Sequence, residues 1–237
     1  LEQAKLLGYI RVNPADAAVT PRVEKKQVET LDAEDIGKFL AAIRGTKYEY
    51  PLFVAVFTGL RQGELLGLTW DCVDFEHGML LINKQHNRVK GDTEFRFASL
   101  KNDKARVLTV ADEVIDVLKL QKQRQKSWAA ALGNGWENPD NLVFTTEFGR
   151  YINNKILYQN FKRIAKKLGK PDLRFHDLRH TYAVNSLRAG DDIKTLQENL
   201  GHATASFTLS TYAHATPGMK RESAKRMTDF IRTVQGA

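Results

Sequence analysis

The chain has 237 residues, 42% of them hydrophobic and 27% charged, a composition typical of a soluble protein with one large domain or two small ones. Its net charge of +8 and isoelectric point near 9.5 favour a polyanionic partner such as nucleic acid, with an anionic membrane surface or simple solubility as alternatives. The single cysteine, Cys72, excludes an internal disulfide and a CxxC metal site, and since no apolar run approaches the roughly 20 residues that span a bilayer, a cytoplasmic protein is expected.

The N-terminal residues predict a short helix and then a linker. Residues 1–12 have helical character, whereas the following stretch VNPADAAVTPRVEKKQVE combines two prolines and a charged run without an apolar period. The chain begins at Leu1 rather than at methionine, and we therefore expect a fragment of a longer protein.

The next segments predict two helices. Asp32 is suited to cap an amphipathic helix whose apolar residues recur at i, i+3, i+4 and i+7, namely Ile36, Phe39, Leu40 and Ile43. The run YPLFVAVFTGL is apolar all round, which predicts a central buried helix that ends at Gly59.

Residues 70–110 predict a small three-stranded antiparallel sheet. Its strands would be MLLINKQ, EFRFAS and ARVLTV, which are rich in β-branched and aromatic residues and are separated by turn sequences. Helical periodicity resumes after Asp112, and further helices are predicted at 152–168, 177–189, 192–200, 204–213 and 219–235. The predicted fold class is therefore mostly α, with α+β character: a multi-helix domain with a small three-stranded antiparallel sheet.

One predicted helix begins with an unusual density of cationic and titratable groups. In RFHDLRHTYAVNSLRAG, residues 174–190, the side chains of His176, Arg179 and His180 share one helix face. A solvated polar face would explain such a cluster, and so would metal ligation by the HxxxH pair. Ligation needs a third ligand, however, and the sequence has no HExxH motif or carboxylate cluster that supplies one.

Two further clusters have similar chemistry. In LGHATASFTLSTYAH, residues 200–214, His202 and Tyr212 lie on two predicted helices joined by a tight turn. Tyr212 taken alone is explained equally by a position in the core or at an interface. In TGLRQGELLGLTW, Arg61 begins a helix and Glu64 follows three residues later, so a local ion pair is the alternative to a functional site.

Taken together, the order of these motifs along residues 30–214 resembles the tyrosine recombinase family of phage and conjugative-transposon integrases. The resemblance rests on Arg61 in TGLRQGELLGL, on His176 and Arg179 in HDLRHT, on His202 in LGH and on Tyr212 in STYAH. It implies the tyrosine recombinase catalytic fold, with residues 1–27 as the end of a core-binding domain plus linker, 28–215 as the catalytic domain and 216–237 as a helical tail.

The resemblance also implies a reaction: one DNA strand is cut and its 3′ phosphate is held on Tyr212, the nucleophile. Arg61 and Arg179 would clamp the phosphate oxygens, a task suited to the permanently charged, bidentate guanidinium. A phenol of pKa about 10 needs such assistance at neutral pH. A metal ion and a cofactor are then not required.

The remaining catalytic roles come from the same resemblance. His176 would take part in proton transfer, and His202 would donate a hydrogen bond to the phosphate. Lys101 would protonate the departing 5′ oxygen, although Lys104 on the same turn is an alternative. Glu64 and His180, like Asp177, would orient or cap rather than react.

Contacts with the DNA backbone are predicted for a basic run. Residues 162–179 carry seven Lys or Arg against two Asp, although a solvated face is an alternative explanation. The predicted contacts are Lys162, Arg163, Lys166, Lys167 and Arg174.

The tail after Met219 predicts an amphipathic helix with Met227, Phe230, Ile231 and Val234 on one face. It would dock on its own domain or, as the resemblance implies, on a neighbouring protomer. The implied partners are double-stranded DNA at attachment or inverted-repeat sites and further copies of the chain, as a tetramer on DNA, in the bacterial cytosol or nucleoid. The alternatives are a type IB topoisomerase, a non-enzymatic DNA-binding protein and, more distantly, a metal-dependent nuclease.

Overall fold

A computed structural model describes residues 1–18, 29–88, 95–99, 105–201 and 217–235. The helices in these ranges are α1 (Glu2–Leu6), α2 (Ala33–Ile43), α3 (Glu49–Thr58), α4 (Gln62–Leu66), α5 (Asp112–Leu132), α6 (Asn154–Lys167), α7 (Phe175–Ala189), α8 (Ile193–Leu200) and α9 (Pro217–Gln235). The strands are β1 (Val73–Asp74), β2 (Met79–Ile82), β3 (Lys84–Arg88), β4 (Phe95–Ser99) and β5 (Arg106–Thr109). The predicted fold class is confirmed: the protein is mostly helical with a small three-stranded antiparallel sheet.

The predicted helices that correspond to α2 and α3 are confirmed, together with the cap of α2 at Asp32 and the end of α3 at Gly59. The Asp32 side chain accepts a hydrogen bond of 2.8 Å from the Asp35 backbone N–H and so caps α2. Helix α3 is apolar on all sides and therefore lies in the core, where Leu52 and Val54 are fully buried. It ends at Gly59, whose φ of +62° is a left-handed conformation that favours glycine.

The three-stranded sheet is not built from the three strands that were predicted for it. The three-stranded sheet has the order β1-β2-β5, with Leu80 of β2 opposite Val73 on one side and Leu108 on the other. The run EFRFAS does not belong to it, because β4 pairs with β3 in a separate hairpin. The predicted single strand MLLINKQ is broken at Asn83, and each half has a different partner. Strand β1 was missed because two residues are too few to show an alternating pattern.

Aromatic contacts join the helices that surround the site. The ring of Phe161 on α6 lies 6.3 Å from that of Phe39 on α2 and 5.5 Å from that of Phe175, measured between centroids. Phe175 is the first residue of α7, so this packing fixes the start of α7 against the core. The position of α7 matters because it carries the cationic cluster identified in the sequence.

Helix α9 is amphipathic, as predicted, and its apolar face is exposed. The exposed fractions are 58% for Met227, 63% for Phe230, 46% for Ile231 and 60% for Val234. In the part of the chain that the structure describes, none of the helices combines the length and apolar character needed to cross a membrane. The helix predicted at 204–213 lies outside the described residues.

Candidate active site

Arg61 is positioned by a tight connection between α3 and α4. Gly59 ends α3, and a Cβ added at this glycine would lie 2.6 Å from Cδ1 of Tyr182, closer than van der Waals contact allows. The chain therefore passes directly under the Tyr182 ring before Arg61 begins α4 as its N-cap residue. This close approach requires glycine and sets where the Arg61 side chain starts.

A buried carboxylate, Glu64, organises the cations around it. Its Oε2 accepts a hydrogen bond of 3.0 Å from the Arg61 backbone N–H, and its Oε1 lies 2.9 Å from Arg61 Nη1. Arg106 on β5 binds both oxygens, at 3.0 Å from Nη1 and 2.8 Å from Nη2. Burial alone would raise the pKa of Glu64, but the hydrogen bonds and charge of Arg106, together with those of Arg61, lower it to about 2. Glu64 is therefore ionised at neutral pH.

The first turn of α7 is closed by an ion pair. Arg174 is the N-cap residue, and its backbone N–H donates a hydrogen bond of 2.7 Å to Oδ2 of Asp177, while its Nη2 lies 2.7 Å from Oδ1. Asp177 is 1% exposed and compensates the unpaired N–H groups of the helix start. This ion pair stabilises the first turn of α7, and the next turn carries Arg179 and His180.

Arg179 is buried between two helix ends. Its side chain is 1% exposed, its Nη1 donates a hydrogen bond of 3.0 Å to the carbonyl oxygen of Gly59, and its Nη2 donates to that of Leu200. These carbonyls belong to the ends of α3 and α8. The guanidinium is therefore fixed by the backbone of two elements rather than by a flexible side chain.

His176 and His180 lie edge to face on α7, with ring centroids 4.9 Å apart. Burial, followed by the positive charges of Arg179 and Arg61, lowers the pKa of His176. Burial and the neighbouring His176 lower the pKa of His180 to about 4. Both rings are consequently neutral at pH 7. Among the described side chains, no group of three or more His, Cys, Asp or Glu residues is arranged to hold a metal ion.

The structure brings together Arg61, Glu64, His176, Arg179 and His180 of the predicted site. Lys101, Lys104, His202 and Tyr212 lie outside the described residues. Gly201, the residue before His202, is described: it ends α8 with a left-handed φ of +63°. Gly201 directly follows Leu200, whose carbonyl oxygen accepts the hydrogen bond from Arg179.

Sequence reasoning missed Arg106. In ARVLTV, Arg106 and Leu108 point to the same face of strand β5, and Leu108 is 1% exposed. An arginine on the buried face of a strand needs a carboxylate partner, and Glu64, placed among leucines, needs a cation. The alternation of β5 and the lone acid in GELLGL were signals that could have identified this pair.

The predicted DNA-backbone cations differ in their surroundings. Arg163, Lys166 and Lys167 of α6 are exposed. Lys162 instead donates a hydrogen bond of 2.9 Å to the Leu173 carbonyl, and Arg174 is paired with Asp177. Tyr158, Lys162, Arg163 and Lys166 line one surface groove.

The sequence of the chain matches a known family and is similar to known proteins. Residues 25–219 match the family described as "Phage integrase family". The protein named "Tyrosine recombinase XerC-like" from Caldanaerobacter subterraneus subsp. tengcongensis is 32% identical over 241 residues, covering 94% of this chain and 61% of the relative. The ICEBs1 integrase of Bacillus subtilis is 25% identical over 224 residues, covering 94% of this chain and 60% of the relative. The chain thus spans about three fifths of the length of these curated relatives.

A solved structure agrees as well. The Tn1549 transposon integrase in complex with transposon right end DNA has a TM-score of 0.76 to this chain at 25% identity. The likeness covers 96% of this chain and 75% of that one.

Proposed function

The chain belongs to the phage integrase family of tyrosine recombinases, and we propose that it is the catalytic part of a site-specific recombinase that cuts and rejoins DNA, integrating and excising a mobile element. The observation that carries the proposal is the convergence of Arg61, His176 and Arg179. Two guanidiniums and a neutral imidazole lie where α3 and α8 end and where α4 and α7 begin, an arrangement that supports a phosphodiester-binding site.

The proposed reaction is a transfer of the phosphoryl group between oxygens. The phenolic oxygen of Tyr212 attacks the phosphorus and its proton passes to His176, while the bond to the 5′ oxygen breaks and Lys101, or Lys104, protonates that oxygen. Arg61, Arg179 and His202 stabilise the charge on the non-bridging oxygens. The 3′-phosphotyrosine ester retains the bond energy, so a 5′ hydroxyl from a partner strand reverses the step.

The proposal extends to domains and partners. Residues 28–215 would be the catalytic domain and 216–237 a tail, with residues 1–27 ending a core-binding domain. The substrate would be double-stranded DNA at attachment or inverted-repeat sites, contacted in part by Lys162, Arg163, Lys166, Lys167 and Arg174. The exposed apolar face of α9 supports docking on a second copy, within a tetramer on DNA in the bacterial cytosol.

The test is covalent capture. The protein is incubated with a nicked duplex that carries an end of its element, and a denaturing gel reveals any protein–DNA adduct. The wild type is expected to form the adduct, Tyr212→Phe to form none, and Arg179→Ala far less. Tyr9→Phe, which removes the hydroxyl of an exposed tyrosine away from the predicted DNA contacts, is the matched control and should react like the wild type. An adduct that persists in Tyr212→Phe would contradict the proposal.

Further measurements separate the rivals. A topoisomerase of type IB would relax supercoiled DNA as a lone protomer without a partner site. A non-enzymatic DNA-binding protein would give no adduct, and Tyr212→Phe would leave all its activity unchanged. Cleavage that is undiminished in EDTA would argue against a metal-dependent nuclease.

A further inference from the structure

One arginine outside the predicted site joins three of the elements that form it. The Arg106 side chain is 8% exposed and binds both carboxylate oxygens of Glu64 on α4. Its Nε also donates a hydrogen bond of 2.9 Å to the carbonyl oxygen of Asn199, in the last turn of α8. Arg106 itself is the first residue of β5.

The end of α8 also packs against this guanidinium. A Cβ added at Gly201 would lie 3.0 Å from Nη1 of Arg106 and 3.1 Å from its Cδ. Gly201, which ends α8 in a left-handed conformation, therefore packs closely against the Arg106 side chain. Moving or shortening that side chain removes the surface against which Gly201 packs.

We propose that Arg106 is a positioning residue for strand cleavage, which sets Arg61 through Glu64 and holds the end of α8, whose Leu200 carbonyl binds Arg179, against β5. This inference rests on the proposed function and adds a residue to it. Arg106 does not contact the phosphate: its donors point inward, to Glu64 and Asn199.

The geometry explains why the residue is an arginine. Three hydrogen bonds leave from three nitrogens of one planar group, two in parallel to a carboxylate and one sideways to a carbonyl. The point charge of a lysine ammonium cannot reproduce that fork. A lysine should therefore keep the charge near Glu64 but lose the link to α8.

The burial of Glu64 explains why a second cation is needed beside it. Glu64 is 1% exposed, so its charge needs compensation. One partner, Arg61, has a side chain that is 31% exposed and must remain directed towards the phosphate. Arg106 satisfies the carboxylate from the buried side. Without it, we expect Glu64 to draw Arg61 inward.

The test measures cleavage separately from binding and folding. Single-turnover adduct formation on the nicked duplex is followed at saturating protein for the wild type, Arg106→Lys and Arg106→Met, well below each melting temperature. We expect the rate per bound complex to fall about tenfold for Arg106→Lys and about 100-fold for Arg106→Met. DNA affinity should change by less than about twofold, because Arg106 faces no phosphate.

Two controls separate positioning from a general loss of stability. Arg124→Met removes another partly buried arginine, which packs 4.2 Å from the Tyr50 ring centroid, and should lower stability without changing the rate per bound complex. Gly201→Ala presses on the Arg106 guanidinium and should reduce the rate. Gly169→Ala, at a similar φ of +74° but with no neighbouring atom within 4 Å, should not.

The outcomes are distinct. A wild-type rate per complex for Arg106→Met and Arg106→Lys, with a normal Tyr212-dependent adduct, overturns the positioning role and leaves the proposed function intact. Equal losses in the Arg124→Met control also overturn it, since stability alone would then account for the effect. No adduct from the wild type overturns both proposals.

Discussion

Glu64 and Arg179 are charged side chains at 1% exposure, and burying them requires compensation at the level of single atoms. Glu64 is satisfied by two guanidiniums, and Arg179 donates to the carbonyls at two helix ends. Such groups cannot swing away from the site without leaving a buried charge unpaired. We therefore propose that this part of the site is preorganised before DNA arrives, which is what charge stabilisation in a transition state requires.

The buried histidine predicts acid sensitivity. The pKa of His180 is lowered from 6.5 to about 4, chiefly by burial, so between these values the unfolded chain binds a proton that the folded chain does not. The free energy of unfolding should therefore fall as the pH falls from about 6.5 to about 4, by roughly 3 kcal/mol at most. Denaturant titrations across this window should show a smaller fall for His180→Gln than for the wild type.

His176 has a pKa lowered in the same direction, so His180→Gln should keep part of the slope. Glu64 acts in a separate window, because its stabilisation is lost only as the pH falls from 4.5 towards about 2. Identical slopes for wild type and His180→Gln between about 6.5 and 4 would contradict a neutral, buried His180.

Some of these residues could be read from the sequence and others could not. The pairing of Arg61 with Glu64 follows from their spacing on one helix face. Arg106 lies 42 residues from Glu64, and their contact depends on where β5 packs. A local pattern shows that each charge needs a partner but does not show which one it has.

At the scale of elements, the site lies where helices begin or end. Helix α3 ends at Gly59, α4 begins at Arg61 and α8 ends at Gly201, and the Arg179 guanidinium bridges the first and the last. Gly59 marked the end of α3 in the sequence, and the predicted bounds of α6, α7 and α8 agree with the structure to within two residues. Strand partners were predicted less well, because the break at Asn83 and the two-residue strand β1 leave no periodic signal.

The exposed apolar face of helix α9 leads to a prediction about assembly on DNA. Replacing Phe230 and Ile231 by serine removes apolar side chains that are 63% and 46% exposed in the single chain. If a second copy covers them, assembly of several protomers on one DNA should weaken, with about 1.5 to 3 kcal/mol lost for each fully buried side chain. Mass photometry of protein–DNA mixtures measures the populations.

Adduct formation at a single site should survive this change, since the charged cluster lies on α4 and α7. Phe148→Ser, which replaces another half-exposed phenylalanine outside α9, should leave assembly unchanged and is the matched control. Unaltered assembly in the α9 variant would show that the exposed face docks elsewhere.

For the whole molecule, charge and family together define the expected behaviour. The net charge of +8 and the exposed Arg163, Lys166 and Lys167 suit a polyanionic duplex. The match to the XerC-like relative covers 94% of this chain and 61% of the relative. We propose that the strand-cleavage chemistry resides in this chain.

The proposed reaction forms one diagnostic bond, between the oxygen of Tyr212 and a DNA phosphate. Trypsin releases Tyr212 in the peptide of residues 195–220, where it is the one tyrosine, whereas Tyr182 lies in 180–188 and Tyr158 in 156–162. The captured adduct should be digested with trypsin and nuclease and analysed by mass spectrometry. We predict a nucleotide mass on the 195–220 peptide through a 3′ phosphate, and that mass on any other peptide would contradict the assignment.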